Sequence, residues 1–173
     1  MPHQPEASEP TLEALVQTLA ANVRKLRARA NWSTRALAQH CRLDRLTIQR
    51  IENGAFPGVS LATIETLARG LGVRTATLLG RRPVALKPTD RWAAEVLPEN
   101  VVRMREKRKL TQEALSQAAD VPRSVIAAIE GRSRNPALAT VARLALGLDT
   151  TVERLLSESK ERDAGSPRGE HRQ

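Results

Sequence analysis

Residues 32–54 read WSTRALAQHCRLDRLTIQRIENG, and residues 110–130 read LTQEALSQAADVPRSVIAAIE. Each begins beside a hydroxyl residue suited to cap a helix, Ser33 or Thr111, and then keeps helical spacing for about eight residues. In the first stretch Arg42-Leu43 forms a tight turn, Asp44 can cap the next helix, and Gly54 stops it. In the second, Pro122 opens the second helix. Two short helices joined in this way form the geometry that can present one of them to the major groove of DNA.

Outward from these stretches, the chain is a duplication. A shift of 78 positions brings Asn22, Val23 and Arg27 onto Asn100, Val101 and Arg105. The same shift brings Ala36, Leu37 and Gln39 onto Ala114, Leu115 and Gln117, and Arg45, Ile48, Ile51 and Glu52 onto Arg123, Ile126, Ile129 and Glu130. After a one-residue deletion, Leu61-Ala62-Thr63 meets Leu138-Ala139-Thr140, Gly70-Leu71 meets Gly147-Leu148, and Leu78-Leu79 meets Leu155-Leu156. An ordered series with one gap is more than a shared bias toward alanine and arginine would give. The period exceeds the roughly 20 to 50 residues of solenoid repeats, so each copy is expected to be a self-contained fold.

The first copy reads as five helices. The first runs from about Thr11 to Ala30, the second from Ser33 to Cys41 and the third from Asp44 to Asn53; Ser60 caps a fourth, and Thr75 starts a short fifth. The second copy repeats them, with Pro136 before its fourth helix, and Pro98 is expected to break or kink its first. The predicted layout is a disordered tail over 1–10, a domain over 11–80, a semi-stiff basic linker over 81–90, a domain over 91–157 and a disordered tail over 158–173.

Composition narrows the partners. The 173 residues carry a formal net charge of +9, which favours a polyanion. Without an apolar run near the roughly 20 residues needed to span a bilayer, that polyanion is expected to be nucleic acid rather than a membrane. The first ten residues do not resemble a secretory signal, so the expected location is the cytoplasm, on the nucleoid. A single cysteine, Cys41, and three scattered histidines supply neither a disulfide nor a metal cluster, and no cofactor is expected. Cys41 reads as a small core residue. One Phe, two Trp and no Tyr leave few platforms for stacking single-stranded bases, which points to double-stranded DNA. Trp32 and Trp92 read as core or domain-packing residues, and Leu78-Leu79 and Leu155-Leu156 as core closures.

Both quoted stretches resemble the Cro/repressor-like (XRE) helix-turn-helix family, on the spaced combination of Leu37, Ile48, Ile51 and Glu52 and its counterpart in the second copy. The resemblance covers about 22–80 and 100–157 and implies an all-α chain of two tandem five-helix lambda-repressor-like domains. The sequence departs from the family pattern at several points. Arg42 and Asp120 stand at the turn position where the family usually has Gly, and Thr34 replaces the frequent Gln that Gln112 keeps. Gly54, after the third helix, is matched by Arg132. The resemblance also implies ion pairs between Arg27 and Glu52 and between Arg105 and Glu130, tying the first helix of each copy to the end of the third.

At 100° per residue the third helix turns Thr47, Ile48 and Ile51 to one side and Arg45, Leu46, Gln49, Arg50 and Asn53 to the other. Arginine can donate two bonds to guanine and glutamine can bridge adenine, so the second side has the chemistry of base readout. The resemblance supports Arg45, Leu46 and Arg50 as base-facing, with Thr34 and Asn53 near phosphates. In the second copy the corresponding face is Arg123, Ser124, Ala127, Ala128 and Gly131, with Gln112 at the preceding helix start. Arginines on a helix face are more often simply solvated; the docking geometry of a helix-turn-helix is what favours contact here.

The expected function is sequence-specific binding of promoter DNA as a repressor or autoregulator, without catalysis: Glu52 and Glu130 have no His, Lys or second acid at a consistent spacing. Two readers on one chain let a monomer grip two half-sites, and a homodimer would extend this to four. Control would come from protein level, a regulatory protein partner or proteolysis. The competing readings are an antitoxin-like interaction module that binds its promoter secondarily, and a nonspecific architectural binder with steep salt dependence.

Overall fold

The computed structural model describes residues 11–80, 84–87 and 90–158. The predicted tails therefore fall outside the described residues, apart from Glu158, as do 81–83 and 88–89 of the linker. Among the described residues the architecture is all-helical. The first copy contains α1 (Leu12–Arg29), α2 (Thr34–Cys41), α3 (Arg45–Glu52), α4 (Leu61–Gly70) and α5 (Thr75–Leu78). The second contains α6 (Ala93–Lys107), α7 (Gln112–Ala119), α8 (Arg123–Glu130), α9 (Leu138–Gly147) and α10 (Val152–Leu155).

Six of the ten described helices begin where the N-cap side chain satisfies one of the first backbone donors. The side chains of Thr11, Ser33, Asp44 and Ser60 accept from the N–H groups of Ala14, Ala36, Thr47 and Thr63. Thr111 and Thr151 do the same for Ala114 and Arg154. Such a cap stabilises a helix by about 1 kcal/mol. The exits are also duplicated: Asn31 and Lys109, Arg42 and Asp120, Gly54 and Arg132, and Gly72 and Asp149 all have φ between +49° and +68°. The departures from glycine at Arg42, Asp120 and Arg132 therefore leave the left-handed turns in place.

Pro98 does not break α6, which runs uninterrupted from Ala93 to Lys107. The missing N–H leaves the Ala94 carbonyl without its helical donor, but the bonds on either side keep the helix continuous, and the buried ring fills the place that Ala20 occupies in α1.

The core lines the faces set by helical spacing. Leu15, Leu19 and Val23 of α1 close over Leu37, Ile48, Ile51, Ile64 and Leu67, and Leu97 and Val101 of α6 over Leu115, Ile126, Ile129, Val141 and Leu144. Cys41 is a core residue, its thiol pKa pushed up by burial. Two helix contacts depend on glycine. Gly70 of α4 lies against Cys41, and Gly147 of α9 against Ala119, equivalent pairs in which a helix-2 terminus presses on helix 4.

The two copies share one continuous apolar cluster. Helices α5 and α10 pack on each other, α4 packs against α6, and α9 against α1. Leu78, Leu79, Leu155 and Leu156 are all buried at this junction. The loops before α4 and α9 meet in an antiparallel bridge between Ser60 and Ala137. Leu61 N donates to Pro136 O at 2.9 Å, and Leu138 N donates to Val59 O at 2.8 Å. The described part of the linker is strapped to the first copy, with Arg74 N donating to Val84 O and Leu86 N to Gly72 O, both at 2.9 Å. Arg74 then pairs with Asp90 at 2.8 Å.

Candidate nucleic-acid interface

In both copies a left-handed residue, Arg42 or Asp120, ends the second helix and turns the chain into the third. Ile48 and Ile51 anchor α3 in the core, and Ile126 and Ile129 anchor α8. That anchoring fixes which faces look outward. Arg45, Leu46, Arg50 and Asn53 are exposed, while Gln49 and Thr34 are half-buried. Leu46 is 54 % exposed, an apolar side chain that no neighbour in the chain covers fully. On α8, Arg123, Ser124 and Ala127 are exposed and Ala128 is half-buried.

Behind each recognition helix lies an arginine–glutamate clamp. Arg27 Nε lies 2.6 Å from Glu52 Oε1, and Arg27 Nη1 donates to Trp32 O at 2.9 Å. Arg105 Nε lies 2.7 Å from Glu130 Oε1, and its Nη1 donates to Leu110 O at 2.9 Å. The Glu130 hydrogen bonds outweigh desolvation and raise the Arg105 pKa. The clamp joins three parts of each fold: the first helix, the loop before the second, and the end of the third. Gln112 extends it in the second copy, donating from Nε2 to Glu130 Oε2 at 2.9 Å. This amide is thus engaged inside the protein, whereas Thr34, its counterpart, has no side chain long enough for the same bond.

A second duplicated device closes the far end of each copy. Asn22 Nδ2 donates to Leu78 O and Gly80 O, both at 2.8 Å. Asn100 Nδ2 donates to Leu155 O and Ser157 O at 2.9 and 2.8 Å. Sequence reasoning aligned these asparagines without giving them a role. A polar residue repeated on an otherwise apolar helix face was the available signal, because a buried amide needs partners.

The tryptophans behave differently from each other. Trp32 is half-buried against the core, with the His40 ring 4.5 Å away. Trp92 is 42 % exposed, and the Arg69 guanidinium stacks over it from the other copy, so it packs between the domains. Charge is uneven as well. Residues 11–80 carry 10 basic against 4 acidic side chains, a net of +6, and residues 91–157 carry 11 against 8, a net of +3. Several cations of the second copy form ion pairs within it: Arg91 and Arg132 share Glu99, Arg108 meets Asp149, and Arg143 meets Asp120. Among the described residues there is no group of three His, Cys, Asp or Glu that could hold a metal ion, and no helix is long and apolar enough to cross a membrane.

Comparison with known proteins gives two matches to family models. Residues 18–81 match a helix-turn-helix domain, and residues 102–155 match a second helix-turn-helix model. The chain is 38% identical over 63 residues to the control protein C.SmaI of Serratia marcescens, a stretch covering 36% of this chain and 75% of that protein. It is 36% identical over 73 residues to a hypothetical transcription factor of Neisseria meningitidis serogroup B, covering 42% of this chain and 68% of that protein. No solved structure matches.

Proposed function

The chain belongs to the Cro/repressor-like (XRE) helix-turn-helix transcription regulators and carries two copies of the DNA-binding unit, and from that premise we propose that it occupies promoter DNA, its own included, as a repressor. α3 and α8 enter successive stretches of the major groove. Arg45 and Arg50 bond to base edges, Leu46 meets thymine methyls, and Gln49 adds a bidentate partner from its half-buried position. Thr34 and Asn53 contact phosphates. In the second copy Arg123 is the directional reader, while Ser124 and Ala127 allow close approach. Gln112 supports this copy through Glu130.

The observation that carries this reading is the outward face of α3, where two arginines and a leucine are exposed on a helix held from behind by the core and by the Arg27–Glu52 clamp. One matched relative bears the name control protein and the other transcription factor, which agrees with regulation as the role. The test is a footprint of the purified protein on the DNA upstream of its own gene, with random duplex as competitor at fixed salt. A protected segment that random DNA displaces poorly supports the reading. Equal competition by random DNA identifies a nonspecific binder and overturns it.

A further inference from the structure

We propose that one molecule of this protein does the work of a twofold dimer, reading an inverted repeat whose halves differ and therefore binding in a single orientation. The proposal rests on the reading above, that α3 and α8 both enter the major groove.

Duplicated domains on one chain can be arranged head to tail or around a twofold axis, and hydrogen bonds distinguish the two. Ser60 and Ala137 are equivalent positions of the two copies, and they pair with each other. Leu61 N donates to Pro136 O, and its counterpart Leu138 N donates to Val59 O, the counterpart of Pro136. When residue i meets j′ and i′ meets j, the interface is isologous, which a head-to-tail arrangement does not produce. The helices obey the same rule: α5 packs on its equivalent α10, and α4 on α6 is matched by α9 on α1. The same axis exchanges α3 with α8. Two recognition helices related by a twofold fit the local dyad of B-DNA, so the site is an inverted rather than a direct repeat.

The symmetry is broken where identical subunits could not break it. Across one side of the seam, Glu65 of α4 accepts from Ala93 N at 2.9 Å, and Arg69 stacks on Trp92. The equivalents on α9 are Ala142 and Leu146, which have no such polar contacts, and Leu146 is 60 % exposed. In a dimer of identical chains each position serves both sides of the axis, whereas here the two sides have separate chemistry. The α5 and α10 surfaces are already covered by each other, so a second chain is not needed to bring two readers together. Because α3 and α8 present different side chains, the two half-sites differ and the complex has a direction.

The experiment is selection of bound sequences from randomised duplex by the full-length protein, followed by the mass of the complex from sedimentation on the enriched duplex. The expected result is one chain per duplex and an inverted repeat of two unlike halves, centred about one helical turn apart, roughly 34–36 Å. Repeating the selection with Arg50→Ala should flatten base preference in one half only, and with Arg123→Ala in the other, each by on the order of tenfold. Both residues are exposed, so the variants keep the fold. Two chains per duplex, a direct repeat or enrichment of a single half overturns the proposal while leaving promoter binding intact. No enriched sequence at all overturns both.

Discussion

Glu65, on the fourth helix, accepts the backbone N–H of Ala93 at 2.9 Å and that of Ala94 at 3.4 Å, and so caps the first helix of the other copy. Trp92, at that helix's N-cap, offers no side-chain bond of its own. Glu65→Ala should therefore destabilise the protein by about 1–2 kcal/mol, read from urea or thermal unfolding. Burial raises the Glu65 pKa above its ordinary 4.5, against the opposing pull of the two N–H donors and Arg69. A raised folded-state pKa means the native protein binds the proton more tightly than the unfolded chain. The associated stability is full below 4.5 and is lost as pH climbs through the raised value. Wild type should accordingly lose stability relative to Glu65→Gln over that rise, and parallel pH profiles for the two proteins would contradict this.

The two arginine–glutamate clamps should be unequal. The Arg27 and Arg105 side chains are 22% and 14% exposed, and both glutamates 8%. Glu52→Ala leaves a mostly buried guanidinium without its partner and should cost about 3 kcal/mol, at the low end for buried pairs because each arginine keeps some solvent. Glu130→Ala also strands the Gln112 amide and should cost about 1 kcal/mol more. Equal losses in the two variants would show that the Gln112 bond contributes nothing. Unchanged melting in both would remove the clamp from the account of stability.

Gly147 is required by packing. A Cβ there would lie 2.6 Å from the Ala119 Cβ and 2.8 Å from its backbone, and backbone cannot swing away as a long side chain can. Gly147→Ala should cost about 1–3 kcal/mol as overpacking. Ala119→Gly in the same chain should recover part of that loss, although glycine weakens the end of α7. A Gly147→Ala variant that melts with wild type would show that α7 and α9 can separate freely.

On DNA the first copy should carry more of the discrimination. It has the larger net charge, and its recognition helix presents Arg45, Gln49 and Arg50 where the second presents Arg123, Ala127 and Ala128. Loss of one bidentate contact corresponds to roughly 1–3 kcal/mol, or about 5- to 150-fold in operator affinity. Affinities of Arg45→Ala, Arg50→Ala and Arg123→Ala for operator and random duplex, at one salt concentration, provide the comparison. If Arg123→Ala alone erases the preference, the roles of the copies are reversed.

Much of this molecule was legible along the chain because helices are local. The spacing of Leu37, Ile48 and Ile51, the hydroxyl and carboxylate caps at Ser33, Asp44, Ser60 and Thr111, and the duplicated Arg27–Glu52 pattern each depend on residues within one copy. They specified the helices and both helix-turn-helix units, and they named the outward residues of α3. Pro98 does not break its helix, because the loss of one backbone bond is outweighed by the bonds on either side and by burial of the ring. The bond from the Gln112 amide to Glu130 is not legible along the chain, because the two residues lie eighteen positions apart and meet only once the helices pack.

The relative placement of the copies was decided by tertiary structure alone. A twofold and a head-to-tail arrangement require the same helices, caps and cores, so no local pattern separates them. What distinguishes them are contacts between distant segments: Leu61 with Pro136, Leu138 with Val59, Glu65 with Ala93, and Arg69 with Trp92. Each needs two surfaces folded beforehand, and their energies depend on complementary shape and on satisfied backbone groups rather than on residue type.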